Sequence, residues 1–305
     1  MQKKVATSSP PLPDPCDTPN ECILQLNGPD ARQFLQGQTT ADFQKAPVGA
    51  TVHTAFCNPK GRVLADALAV IIADDTVLLR GRKPVMEALS AHLTPFLAFS
   101  KSALTRMQWA VVGSGPPSGL QTEPVSAQLI EENDAVTAVV INRGKGFIEY
   151  WQEDTSVIQP DPEHIVPLAR VDYETARARV ESSTIGAYLP QDLNYDLNET
   201  VNFTKGCYTG QEIVARLHYR GTPKRRLYRA IIANTSETSA PGDGITNAEG
   251  QRVGSIVNTL PVEEQLGVLI EVMPDSTHGP LLTREQGLAL SSLEACHPVA
   301  DQSMG

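Results

Sequence analysis

The sequence has few cysteines, few aromatic residues and no long apolar run. Its five cysteines are an odd number and include no CxxC pair, which excludes a disulfide framework and a dedicated zinc or cluster site. We therefore expect no metal site, and reduced thiols as in a cytoplasmic protein. The longest apolar run, residues 67–73, is far shorter than the ~20 residues that a membrane span needs, so no membrane partner is expected.

An excess of basic residues is also missing. Thirty-five acidic residues outnumber 25 basic ones, and the formal charge of −10 argues against binding of nucleic acid by the whole surface. The composition is otherwise that of a globular protein, and 305 residues with 41% apolar content suffice for two or three domains. The first residues are polar and rich in proline where a secretory signal needs an apolar stretch, which predicts a disordered leader over residues 1–18.

Hydropathy patterns predict an α+β protein. Helical spacing predicts helices after Pro29, after Pro84 and over residues 171–180. The strands that follow Pro223 are short and separated by turn residues, which predicts an all-β C-terminal barrel or sandwich. The predicted strands are residues 23–26, 51–57, 62–72, 77–79, 138–141, 147–151, 227–232, 252–257 and 266–272.

The segment Lys-Gly-Cys-Tyr-Thr-Gly-Gln-Glu at residues 205–212 is the richest in residues that carry chemistry. Thr209 and Glu212 have the T-x-x-E spacing of a capping box, which predicts a helix from Gly210. Cys207 would then lie just outside a helix N-terminus, where the helix dipole and a neighbouring lysine favour a thiolate. The alternative is a small residue that fills space between two glycines.

Basic residues are concentrated in residues 205–229. Seven bases against the single acid Glu212 give this stretch a charge of +6, which leaves −16 for the rest of the chain. Such a cluster is a candidate site for an anion, such as a polycarboxylate tail, a phosphate or an RNA backbone. The alternative is that the bases pair with the acidic surface around them. The seven bases are Lys205, Arg216, Arg220, Lys224, Arg225, Arg226 and Arg229.

Two acidic residues are candidates for a site. Asp66 interrupts an apolar strand, and strand alternation places it on the same face as Leu64 and Leu68, which favours a cleft where it meets a donor. A solvent-facing aspartate is the alternative. Glu174, in the predicted helix around Tyr173, is by itself typical of a surface acid.

Residues 205–212 and the basic residues that follow resemble the signature of the YgfZ family, which are folate-binding relatives of the T-protein (aminomethyltransferase) of the glycine cleavage system. The signature continues with Val214-Ala215-Arg216, Arg220-Gly221 and Lys224-Arg225. Supporting stretches are Phe34-Leu35-Gln36-Gly37-Gln38 with Thr40 and Asp42, Cys57-Asn58-Pro59-Lys60-Gly61, and Leu189-Pro190-Gln191 with Asn194.

This resemblance implies a multi-domain ring of the aminomethyltransferase folate-binding type around a central opening. The implied domains are a discontinuous folate-binding domain, an inserted α+β domain and a C-terminal β-barrel. Their expected boundaries are residues 19–48 with 107–222, residues 49–106, and residues 223–300.

The resemblance also implies a function and a set of site residues. The expected ligand is tetrahydrofolate or a derivative, and the expected partners are iron-sulfur client enzymes, including tRNA-modifying ones, or their assembly factors. Cys207 and Asp66 are the candidate catalytic residues. The candidate folate-binding residues are Lys205, Gly206, Tyr208, Thr209, Gly210, Gln211, Glu212, Arg216, Arg220, Glu174 and Asn194.

One departure from the related transferases separates two functions. At the position that corresponds to residues 61–66, the transferases have a pattern similar to Gly-Gly-x-x-Asp-Asp. This chain has Gly61-Arg62-Val63-Leu64-Ala65-Asp66 there, so one of the two acids is missing. The first hypothesis is therefore a non-catalytic folate-binding accessory protein for iron-sulfur enzymes that acts through Cys207. The alternative is a folate-dependent aminomethyl- or methyl-transferase in which Asp66 orients or accepts a proton.

A third hypothesis is an RNA-binding module that uses residues 216–229. It ranks last because only Tyr208, Tyr219 and Tyr228 accompany the bases for stacking, so direct tRNA binding is not expected. The first hypothesis depends on a loop before Gly210 that presents the Cys207 sulfur beside a cationic hollow. A sulfur buried among apolar side chains, with no cavity beside it, would contradict it.

Overall fold

A computed structural model describes residues 20–115, 126–133, 135–153, 157–158, 160–233 and 239–296. Within these ranges the chain forms three antiparallel sheets and four α-helices, which confirms the α+β class. The predicted leader at residues 1–18 lies outside the described residues. None of the helices in the described ranges has the length and apolar character that a membrane crossing requires.

The first sheet has five strands in the order β2-β3-β4-β1-β5. Its three-stranded meander is confirmed, with the turn at Asn58 and Gly61 between β2 and β3. β1 pairs with both β4 and β5, so the first strand of the chain belongs to this sheet. The strands are β1 (Glu21–Asn27), β2 (Thr51–Cys57), β3 (Val63–Ala73), β4 (Thr76–Arg82) and β5 (Ala103–Arg106).

Two helices cover one face of this sheet. α1 (Ala31–Gln38) follows β1, and α2 (Lys83–Leu97) begins with Pro84 in its first turn, as predicted. The apolar stripe of α2 is buried because Val85, Leu89 and Leu93 recur at helical spacing.

The second sheet has the order β10-β6-β9-β8-β7. α3 (Leu168–Glu174) packs beside it, and the predicted helix over residues 171–180 is wrong beyond Glu174. The chain turns at Ala176, which has a φ of +53°, so residues 177–180 leave the helix axis. The strands are β6 (Ala110–Ser114), β7 (Ser126–Glu132), β8 (Ala135–Gly144), β9 (Phe147–Gln152) and β10 (Ile165–Val166).

The C-terminal region is all-β, as predicted, and forms a six-stranded sheet in the order β15-β12-β13-β14-β11-β16. A single bridge between Leu282 in β15 and Ala289, directly before β16, connects the two edge strands. The strands are β11 (Arg226–Ala233), β12 (Gly244–Thr246), β13 (Arg252–Val262), β14 (Gln265–Val272), β15 (Leu282–Thr283) and β16 (Leu290–Ala295). The fourth helix, α4 (Gln211–Arg220), precedes this sheet.

Apolar packing joins the three sheets. Ile23 and Leu78 of the first sheet pack with Val139 and Trp151 of the second in one buried cluster. A larger cluster on the other face of the first sheet includes Leu35 of α1, Phe56 of β2, Val214 of α4 and Leu269 of β14. These contacts fix α4 between the first and third sheets.

Candidate functional site

The N-terminus of α4 is formed by Gly210 and not by a capping box. Gly210 is the N-cap with a φ of +83°, and no side chain caps the helix, so the predicted Thr209–Glu212 box is wrong. Gly210 has this role because it lies against the turn between β2 and β3, where a β-carbon would overlap the Asn58 carbonyl oxygen. The backbone amide of Thr209 instead donates to the Gly37 carbonyl, at 3.3 Å.

Four separate stretches of the signature meet at this point. Lys205 Nζ donates to the carbonyl oxygens of Gln36 (2.8 Å), Thr39 (2.6 Å) and Ala41 (2.6 Å) at the end of α1. Gln191 Nε2 donates to the Val214 carbonyl at 2.9 Å. The Lys205 ammonium is therefore used to join α1 to the loop before α4, and these three bonds occupy its donors.

Cys207 is exposed in this loop, so its sulfur is not buried among apolar side chains. The next residue, Tyr208, is buried, and its hydroxyl has no hydrogen-bond partner. Cys57 is also buried, and burial raises the pKa of its thiol to about 12. Of these two thiols, only that of Cys207 is presented to reagents or partners.

The basic cluster divides into paired and unpaired residues. Arg225 Nε lies 3.2 Å from Glu271 Oε2, and Arg226 Nη1 lies 2.7 Å from Asp196 Oδ1. Arg229 contacts Glu294 and the carbonyls of residues 173 and 174. These three bases, like Lys205, serve the fold. Of the seven bases of this cluster, all of which lie in described ranges, Arg216, Arg220 and Lys224 are exposed and have no ion pair.

Asp66 lies in a cleft, as its position in β3 predicted. One carboxylate oxygen accepts the Val180 amide at 2.6 Å, and the other accepts Nε of Arg179. The side chain is 9% exposed, so the ion pair is almost completely shielded from solvent. Both partners come from residues 177–180, which have no regular secondary structure and replace the end of the predicted helix.

Two adjoining cavities lie around this ion pair. The outer cavity has a volume of about 290 Å³ and is open to solvent. The inner cavity is lined by arginine side chains from several elements, and His53 and Arg177 border both cavities. The outer lining is Ala41, Asp42, Thr51, Val52, His53, Arg177, Asn198, Glu199 and Asn202. The inner lining is His53, Thr54, Asp66, Ala67, Leu68, Arg80, Arg143, Arg177, Ala178, Arg179, Tyr195 and Thr200.

The arginine-lined cavity lies around Asp66, and residues 205–220 line neither this cavity nor the outer one, so the predicted position of a cationic hollow beside Cys207 is not confirmed. Burial and the charges of four arginines lower the pKa of His53, so its ring is neutral at pH 7. Burial, together with the charge of Arg143, lowers the pKa of Arg177 to about 10. Sequence reasoning missed both residues. The signal for Arg177 was the alternation of arginine with Ala178 and Val180, which is typical of extended chain.

Two other candidate residues lie away from the cavities. Glu174 is half-buried at the end of α3, where its carbonyl accepts Lys145 Nζ at 2.5 Å. Asn194 is buried and adopts a φ of +56°, and its side chain exchanges hydrogen bonds with the backbone of Leu227. Asp172, two residues before Glu174, is the buried acid of this region and pairs with Arg143 and Arg179.

The fold defines a class of protein. It resembles the crystal structure of the glycine cleavage system aminomethyltransferase T from Bartonella henselae with a TM-score of 0.63 and 16% identity, over 89% of this chain and 82% of that chain. Residues 16–127 match the family described as the GCVT N-terminal domain. The aminomethyltransferase-like fold is therefore confirmed.

Sequence relatives narrow this class. The chain is 26% identical over 263 residues to the tRNA-modifying protein YgfZ of Yersinia enterocolitica, covering 79% of this chain and 78% of that protein. It is 29% identical over 258 residues to an uncharacterized protein of Haemophilus influenzae, covering 83% and 86%. The expected resemblance is confirmed, since the chain is similar to proteins named YgfZ over most of its length.

Proposed function

We propose that this protein binds a reduced folate in the outer cavity and supports the assembly or maintenance of iron-sulfur enzymes through Cys207. The observation that carries the proposal is the solvent-open cavity of about 290 Å³ that adjoins the inner cavity around Asp66, inside a fold shared with an aminomethyltransferase. One relative is named as a tRNA-modifying protein. This name supports the proposal that the client enzymes include some that modify tRNA. We place the protein in the cytoplasm, with iron-sulfur enzymes or their assembly factors as partners.

The residues of the outer cavity fit a tetrahydropterin. Such a ring presents N–H donors beside a carbonyl acceptor. Asp42 supplies a carboxylate acceptor, and the Nδ2 groups of Asn198 and Asn202 supply donors. The hydroxyl of Thr200 and the ring of His53 add polar groups deeper in the site. Tetrahydrofolate, when bound, would supply a carrier for one-carbon units.

The arrangement around Asp66 favours an accessory role over transfer chemistry. Both oxygens of Asp66 accept hydrogen bonds, from Arg179 and from the Val180 amide. An ion pair of this kind holds the carboxylate in its charged form and in one position, which suits support of a loop more than proton transfer.

A folate-dependent aminomethyl- or methyl-transferase is the second candidate, because Asp66 lines the inner cavity where a ligand would meet it. Turnover with an aminomethyl donor and free tetrahydrofolate would establish this activity. Unchanged turnover in Asp66→Asn would remove Asp66 from its mechanism.

We also propose that the three sheets form a ring around the cavity and that the C-terminal sheet is a barrel. The inner cavity takes Asp66 from the first sheet and Arg143 from the second, which supports the ring. The bridge between Leu282 and Ala289 supports closure of the barrel. The discontinuous folate-binding domain of residues 19–48 with 107–222 and the inserted domain of residues 49–106 stay predictions.

Calorimetric titration with tetrahydrofolate tests the ligand, and rescue of iron-sulfur enzyme activity in cells that lack the protein tests the role. We expect binding, rescue by the wild type and loss of rescue in Cys207→Ala. Cys57→Ala is the control, because that thiol is buried. Absence of folate binding would reject the ligand, and rescue by Cys207→Ala would reject the thiol.

A further inference from the structure

We propose that the space between Arg177 and Arg179 is a binding site for a carboxylate group. The site lies where the inner and outer cavities adjoin, with the His53 ring on the border of both. This inference goes beyond the folate proposal, because the site would accept a carboxylate whichever molecule carries it.

Arg177 is the arginine of the inner cavity that lacks a counter-ion. Its Nη1 donates to the Asn198 carbonyl at 3.0 Å and to the Thr200 hydroxyl at 3.2 Å, and both acceptors are neutral. Across the described residues it has no carboxylate oxygen within ion-pair distance, whereas Arg80 and Arg143 each contact Glu149. Burial and the charge of Arg143 lower the pKa of Arg177, and the more distant Asp172 and Glu199 offset this only in part.

Arg179 supplies a second unused donor. Its Nε pairs with Asp66 and its Nη1 lies 3.3 Å from Asp172 Oδ2, but its Nη2 is buried and makes no hydrogen bond. Nη2 lies 4.0 Å from Glu21 Oε2, which makes an ion pair but is too long for a hydrogen bond. A buried donor without an acceptor destabilises the folded protein, and a bound carboxylate oxygen would supply the missing acceptor.

The walls of the cavity favour a flat, singly charged group. Ala67, Leu68 and Ala178 line it with apolar surface, which strengthens an ion pair between them. A guanidinium presents its N–H groups in a planar fork that matches a carboxylate. The neutral His53 ring completes the polar lining, and the open outer cavity supplies a route from solvent.

The test compares an acid with its amide on the full-length protein. Calorimetric titration at constant ionic strength would use glutarate and then glutaramide, which have similar size but differ in charge. We expect glutarate to bind at least about tenfold more tightly, because only a carboxylate pairs with the guanidinium groups. Equal binding of the two compounds, no binding of glutarate, or equally tight binding of inorganic phosphate would overturn the proposal.

Variants locate the site. Arg177→Gln should weaken glutarate binding by about tenfold or more, while Arg170→Gln, an exposed arginine on α3, should leave it unchanged. Equal affinity in wild type and in a folded Arg177→Gln protein would overturn the assignment. If Arg177→Gln does not fold, the comparison of glutarate with glutaramide on the wild-type protein still tests whether a carboxylate site exists.

Competition identifies the carrier of the carboxylate. Displacement of glutarate by tetrahydrofolate, but not by 6-methyltetrahydropterin, which has no carboxylate, would support the site and assign it to the folate tail. Glutarate binding in a protein that does not bind tetrahydrofolate would support the carboxylate site and reject the folate proposal. Binding of tetrahydrofolate by a protein that does not bind glutarate would support the folate proposal and reject the carboxylate site.

Discussion

Gly210 lies directly against the carbonyl oxygen of Asn58, and no other residue type fits between the two backbones. The contact joins the N-terminus of α4 to the turn between β2 and β3. Because Gly210 has a φ of +83° as well, both its conformation and its surroundings require glycine. The position of the Cys207 loop is therefore set by a contact between two distant parts of the chain.

Gly210→Ala should destabilise the fold by about 2–4 kcal/mol, because it adds strain at a left-handed position to overlap with the Asn58 carbonyl. Urea unfolding measures the change. Gly206→Ala is the matched control, since a β-carbon there meets nothing within 4 Å. Similar unfolding midpoints for the two variants would contradict the described contact.

Lys205→Met should lower the free energy of unfolding by about 3 kcal/mol or more, because three buried carbonyl oxygens lose a charged donor. Lys224→Met removes the same charge from an exposed position and should change stability by less than about 0.5 kcal/mol. Thermal unfolding of the two variants beside the wild type checks this difference. A ligand role for Lys205 would instead predict a stable variant with weak folate binding.

The thiols should differ sharply in reactivity. In the native protein at pH 8, Cys207 should react fast with a disulfide reagent, while Cys22 and Cys57 should react only on unfolding. Burial raises the pKa of the Cys22 thiol to about 11 and that of Cys57 to about 12, so neither forms an appreciable thiolate. One fast equivalent should disappear in Cys207→Ala and persist in Cys57→Ala. A fast phase that survives in Cys207→Ala at full amplitude would show that Cys207 is protected.

Glu271 should make stability depend on pH. Burial raises its pKa to about 7, above the value near 4.3 of an unfolded glutamate, although Ser255 donates to it and Arg225 lies near. The folded state thus holds the proton more tightly, so wild-type stability should fall as pH rises from about 4.5 to about 7, by at most about 3 kcal/mol.

Glu271→Gln should remove this part of the pH dependence. Relative to the wild type, the variant should gain stability between pH 5 and pH 8 in urea unfolding. Glu294→Gln, at a side chain that is 68% exposed, is the control and should follow the wild type at both values. A Glu271→Gln protein that loses stability on going to pH 8 as the wild type does would contradict the raised pKa.

Local signals in the sequence were sufficient for most strands. β2 alternates in part, and β3 is an apolar run that only Asp66 interrupts. The turn at Asn58 separates them, and both strands were predicted within a residue or two. The helix over residues 171–180 failed beyond Glu174 because the left-handed turn at Ala176 is set by packing and not by a glycine or proline that a reader would recognise.

The candidate site was only partly predictable. Asp66 was found because an acid in an apolar strand needs a partner, but its partner Arg179 lies 113 residues later in the chain. The signature at residues 205–212 was easy to recognise, yet the structural use of Lys205 depends on carbonyls of α1 that no local pattern indicates. Arg177 was hidden in the same mistaken helix.

The bidentate pair of Arg80 on β4 with Glu149 on β9 has a consequence for how the protein melts. Nε and Nη2 of the arginine lie 2.7 and 2.6 Å from the two carboxylate oxygens, and both side chains are fully buried. Separation of the two sheets would break this buried pair and leave Arg80 with Glu21 of its own sheet and Glu149 with Arg143 of its own sheet. Because the loss of a buried ion pair is costly, we expect the first and second sheets to unfold in one heat-induced transition, and not one after the other.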